Sequence, residues 1–124
     1  SMSLGDLPGA WNDGIRGLLG IVPSSDRDGC LQDVHWFDGA WGYFPTYTLG
    51  AMTAAQLYDT VCGIVPDIPH CIAKGNFKPL MDWLGDNVHS KGRLMSSDDL
   101  LKHATGQKLA ASKYISHLKR RYLA

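Results

Sequence analysis

Apolar positions recur at helical spacing through most of the chain. Pro8 suits a first helical turn, Trp11, Ile15, Leu18 and Leu19 follow on one side, and Gly20 ends the run. Pro23 to Gly29 is polar and rich in turn residues. From Pro45 a longer helix is expected. Its face carries Ala51, Ala54, Ala55, Tyr58, Val61, Cys62 and Val65, with Thr53, Gln56 and Asp59 opposite, and Pro66 breaks it. The stretch PDIPHCIAKG allows one or two helical turns before Gly75. The next helix turns Phe77, Leu80, Met81, Leu84 and Val88 inward, tolerates Pro79 in its first turn, and closes by Gly92. Ser96 or Ser97 caps a short helix whose first turn holds Asp98 and Asp99, a favourable placement against the helix dipole. Gly106 ends it, and a last helix from Ser112 carries the stripe Tyr114, Ile115, Leu118 and Tyr122.

The pattern predicts an all-α chain of about five helices with short links. One stretch departs from it. The run CLQDVHW, continuing through FDGAWGYFPTYTLG, crowds Gln32, Asp33 and His35 among Trp36, Phe37, Trp41, Tyr43, Phe44 and Tyr47. Its alternation is too irregular for a clear strand, so residues 31–36 are expected to form at most a short strand or an extended loop. A polar group buried beside aromatic rings loses about 1–3 kcal/mol unless it is paired. Three such groups within four residues point to an organised network or a site. Gly39 and Gly42 would let backbone approach a ligand closely.

Composition narrows the classes. The chain has 124 residues, is 44% hydrophobic and 19% charged, and balances twelve basic against twelve acidic side chains. That is enough apolar material for a core, and a zero net charge argues against nucleic acid or an anionic membrane as partner. No apolar run approaches the roughly 18 residues that span a bilayer. The basic cluster Lys113, His117, Lys119, Arg120 and Arg121 sits where a helix C-terminus favours cations and reads as a solvated face. Cys30, Cys62 and Cys71 form no CxxC pair, which suits reduced thiols in a cytoplasmic protein. Cys62, His70 and Cys71 could ligate a metal only with a fourth ligand from elsewhere. The opening residues SMSL read as a cloning remnant and are set aside, leaving residues 5–124 as the folded piece.

The two dense motifs carry a resemblance. Gly29, Gln32, Asp33, His35 and Trp36, followed by Gly42 to Tyr47, resemble the C-terminal signature of the thermostable, Taq-type zinc metallocarboxypeptidases. LPGAWND and DRDG upstream, and PLMDWLGDNVHSKGR and ATGQ downstream, extend the resemblance over Asp6 to Tyr122. Phe37 and Asp38 stand where the family has smaller residues, and Trp41 where phenylalanine is more usual.

The resemblance implies a hydrolase that removes C-terminal residues from peptides. It binds zinc through a HExxH helix whose glutamate acts as general base. That helix is absent from this sequence, and all twelve acidic residues are aspartate. The resemblance therefore makes residues 5–124 the C-terminal fragment of the catalytic domain of a longer enzyme, with no metal ligand in this chain and no activity alone. The other reading is a stand-alone, non-catalytic helical module that binds a peptide or protein partner. By likeness to related helical zinc peptidases, His35 and Tyr47, with Tyr43 as a second tyrosine, would donate hydrogen bonds to the scissile carbonyl. Gln32, Asp33 and Trp36 would bind substrate or hold those donors. The implied partners are the peptide substrate, the remaining N-terminal portion and a second copy of the chain.

Overall fold

The structure, a computed structural model, describes residues 2–123. Ser1, the first residue of the expected cloning remnant, lies outside them. The chain divides into two compact units, Ser1–Pro45 and Thr46–Ala124.

In the first unit a 3-10 turn, Leu4–Asp6, leads into α1, Leu7–Leu19. The Asp6 carboxylate closes that entry by accepting from the Ser3 backbone N–H at 2.9 Å and from the Ser3 hydroxyl at 2.7 Å. Gly20 ends α1 at φ 73°, where its N–H reaches the Arg16 carbonyl at 3.0 Å. A left-handed residue there stops a helix without Cβ strain only if it is glycine. Three further 3-10 turns follow, Asp26–Asp28, Cys30–Gln32 and Val34–Trp36. Residues 31–36 are therefore neither a strand nor a continuous extended loop. Asp33 alone is extended there, at φ −80° and ψ 96°, and its side chain takes the N–H of His35, which tightens the chain into the next turn.

The second unit is built from α2, Pro45–Ile64, whose first residue closes the preceding unit, then α3, Ile68–Ala73, α4, Lys78–Asn87, α5, Ser97–Thr105, and α6, Ala111–Tyr122. The described residues thus hold six α-helices and no strand. Ser96 caps α5, accepting from Asp99 N–H, and Gly106 ends it at φ 77°. None of the helices is long and apolar enough to cross a membrane.

Val61, Ile68, Trp83 and Ala104 form the core, with Leu57, Tyr58, Ile72, Leu80 and Leu84 packed against it. Two expectations change here. On α4 the inward position belongs to Trp83, 9% exposed, while Phe77 and Met81 are half-exposed. Leu80, one turn before Trp83, and Leu84, next to it, pack against the same core, so the large indole sets the buried edge of the helix. On α2, Gln56 is not on an outer polar face but fully buried. Its amide nitrogen faces the Thr105 hydroxyl at 2.9 Å and the carbonyls of Lys108 and Gln107 at 3.1 and 3.3 Å. Its amide oxygen accepts the Ala110 N–H at 3.0 Å. The apolar stripe of α6 is present, but Ile115 and Tyr122 on it are exposed.

One turn beyond Gln56, Lys113 pairs with Asp59 at 2.7 Å, with both side chains 37% exposed. An exposed pair of that kind contributes about 0–1 kcal/mol. The buried amide matters more, because removing it strands several polar partners. Gln56→Leu is expected to destabilise the second unit by about 2–3 kcal/mol. Urea unfolding should show a lower midpoint with an unchanged m-value.

Candidate functional site

The first unit gathers the polar and aromatic residues of the dense motif around one carboxylate. Asp33 Oδ1 lies 2.7 Å from His35 Nδ1 and also accepts the His35 backbone N–H at 3.1 Å. Its Oδ2 accepts the indole N–H of Trp36 at 2.8 Å. The two consecutive 3-10 turns bring three donors onto one side chain within four residues. Asp33 and His35 are largely covered, with side chains 23% and 18% exposed.

The Asp33 carboxyl is held below its ordinary value of 3.8. Partial burial pushes it up, but the hydrogen bonds from the His35 ring, the His35 backbone and the Trp36 indole, with the nearby imidazole charge, outweigh that. An ionised Asp33 is an acceptor only, so the His35 ring carries its proton on Nδ1 and presents Nε2 away from the carboxylate. Nε2 accepts a hydrogen bond when the ring is neutral and donates one when the ring is protonated.

Aromatic rings box the imidazole in. Tyr43 lies 5.0 Å from it, tilted, and Phe44 5.8 Å, edge-on. Trp36 in turn lies 5.2 Å from Trp41. Of the residues named from sequence, Asp33, His35, Trp36 and Tyr43 thus come together. Gln32 turns away, donating from its side-chain nitrogen to the Arg27 carbonyl, where it fixes the turn before the site. Tyr47 stands on the first turn of α2 in the second unit, more than half exposed. Phe44 and Trp11 were not named as site residues. Phe44 packs on His35, and Trp11 lines a small pocket beside Asp33 and Trp36. The signal for Trp11 was Gly29: a Cβ there would come within 3.3 Å of the Trp11 ring and 3.0 Å of Pro23.

A metal finds no cage here. Among the described residues no three histidine, cysteine or aspartate side chains converge in a metal-holding group, and Cys62, His70 and Cys71 are no exception. All three cysteines are free thiols.

Because Asp33 titrates lower when folded, the stability it contributes is complete above about pH 3.8 and disappears as pH falls through its depressed folded value. In an NMR titration the Trp36 indole N–H resonance should therefore shift only below the ordinary carboxylate range. In Asp33→Asn that acid transition should vanish, and the His35 ring nitrogens should report loss of the fixed Nδ1–H form.

Residues 1–122 match the family profile described as carboxypeptidase Taq (M32) metallopeptidase. The chain is 42% identical over 118 residues to thermostable carboxypeptidase 1 of Pyrococcus furiosus, covering 95% of this chain and 24% of that protein. It is 40% identical to carboxypeptidase 1 of Bacillus subtilis, over 98% of this chain and 24% of that one. Among solved structures, Trypanosoma cruzi metallocarboxypeptidase 1 superimposes with a TM-score of 0.91 at 38% identity, over 99% of this chain and 26% of that chain. The chain spans about a quarter of the length of the relatives it matches. It belongs to the carboxypeptidase Taq (M32) metallopeptidase family.

Proposed function

We propose that this chain is the C-terminal part of the catalytic domain of a zinc metallocarboxypeptidase that removes C-terminal residues from peptides, and that it supplies one wall of the substrate cleft. The metal ligands and general base belong, on this reading, to the part of the relatives that the chain does not cover. The observation that carries the reading is the Asp33 carboxylate gripping both His35 and Trp36. A largely covered histidine held by one nitrogen has its other nitrogen fixed in direction, as a group that must meet a substrate atom requires.

During peptide hydrolysis the carbonyl oxygen gains negative charge. A donor already aimed at it stabilises the transition state more than the substrate. His35 donates through Nε2 when its ring carries both protons, with the Asp33 carboxylate holding Nδ1. Tyr47 donates from its phenol hydroxyl, on a helix turn whose backbone Pro45 fixes. Tyr43, packed on the His35 ring, limits its rotation. The three free thiols suit the cytoplasm as the working compartment. Exposed apolar side chains such as Leu18, Phe37, Ile64 and Leu94 are surface for the rest of the longer polypeptide and for a second copy.

In the full-length protein, Tyr47→Phe and His35→Ala are each expected to lower kcat about 100- to 1,000-fold. Zinc content and thermal stability should be unchanged in Tyr47→Phe, which removes one oxygen. Near-normal kcat in both variants would overturn the donor roles. The chain alone is expected to release no residue from blocked dipeptides, even with zinc or cobalt supplied, and to self-associate. Sedimentation velocity over a concentration series checks the second point, and a monomer at high concentration would count against it.

A further inference from the structure

We infer that the pocket beside the Asp33–Trp36 grip is a subsite for an apolar, planar side chain flanking the scissile bond of the peptide. The inference rests on the reading that this segment lines a peptide-binding cleft. The pocket encloses about 180 Å³. Trp11, Trp36 and Phe44 wall it, and Cys30, only 3% exposed, closes its floor. An apolar cavity of about 150 Å³ is enough to hold a benzene ring. A methyl side chain would leave most of this one empty.

The donors along its rim are committed. The Trp36 indole N–H goes to Asp33, and the Gln32 side-chain nitrogen goes to the Arg27 carbonyl. A guest therefore meets mostly ring carbon and sulfur, with Gln32 and the Asp33 carboxylate also in the lining. An anionic tip would meet the Asp33 carboxylate, and a cationic one would find its oxygens already taken by three donors, so a charged guest loses hydration that the pocket does not replace. An aromatic guest gains apolar burial and ring contacts at no such cost.

The walls are fixed rather than adaptable. Trp11 is seated against Gly29, where even a Cβ would crowd it at 3.3 Å. Trp36 is tied to the carboxylate that also holds His35, and Phe44 lies against the His35 ring. One carboxylate thus fixes both the pocket wall and the imidazole. A side chain seated in the pocket would place its own backbone at a set distance from His35. The same chemistry could come from the leaving residue or from the residue before it.

The test uses the full-length protein and two series of blocked dipeptides. One varies the leaving residue through Ala, Leu, Phe and Trp. The other varies the preceding residue in the same way. Cys30→Leu raises the floor of the pocket. In one of the two series it should lower the Phe-to-Ala ratio of kcat/KM about tenfold, and that series identifies which side chain occupies the pocket. Trp11→Phe widens the pocket and should raise the Trp-to-Phe ratio in the same series, which decides the matter if Cys30→Leu fails to fold. Unchanged ratios in both series, from a variant shown by thermal unfolding to be folded, would overturn the subsite. The donor reading fails separately: normal kcat in Tyr47→Phe and His35→Ala, with the selectivity shift present, would remove the donors and leave the subsite standing.

Discussion

The buried amide of Gln56 is the constraint on which the second unit depends. An amide placed in an apolar interior is unfavourable unless its hydrogen-bonding groups are met. Here its nitrogen meets three oxygens, and its oxygen meets the Ala110 N–H. Those partners all lie in residues 105–110, where the chain leaves α5 and enters α6. A hydrophobic residue at position 56 could tolerate small shifts of α2 against that connection. An amide cannot, because sliding by a fraction of a turn would break several hydrogen bonds at once. Gln56 therefore sets the position along its axis at which α2 is held, and through α2 the placement of Val61 in the core.

Asp33 does comparable work in the first unit with different physics. Its charge lets two oxygens accept three donors over a very short span of chain, and charge-assisted hydrogen bonds are stronger than neutral ones. The cost is dependence on pH, which a site that must use an ionisable histidine already carries. The carboxylate also decides which histidine nitrogen faces outward. In this way a local backbone turn becomes a statement about chemistry.

The helices were legible because their signals are local. Pro8 and Gly20 bracket α1, Ser96 caps α5 and Gly106 ends it, and each acts within one turn of the chain. Buried faces were less legible where a long-range partner overrides local pattern. Gln56 reads as polar and outward until residues 105–110 arrive with a hydroxyl, two carbonyls and an N–H. Trp83 takes the inward place on α4 that spacing assigned to Phe77 and Met81, because the indole is the larger apolar body. The density of the Gln32–Tyr47 segment pointed to an organised polar group, and the structure has one around Asp33. Its path could not be read from alternation, since the turns there are made by the Asp33 side chain rather than by backbone periodicity. Trp11 could be read as part of the pocket only through Gly29, whose contribution is a missing side chain.

The connection between α5 and α6 is regular in no sense that a helix or strand would recognise, yet it is not loose. A protease needs several consecutive residues to pull out into an extended strand before it can cut. Lys108, an obvious basic cleavage point, has its carbonyl held by the Gln56 amide from another helix. The link near Arg93 is held differently, by short turns in which Gly92 and Leu94 bond only to His89 and Lys91. Opening that link breaks local turn hydrogen bonds, whereas opening the link at Lys108 means withdrawing the partners of a fully buried side chain. Irregular backbone and vulnerable backbone are therefore different properties in this molecule, and one glutamine separates them.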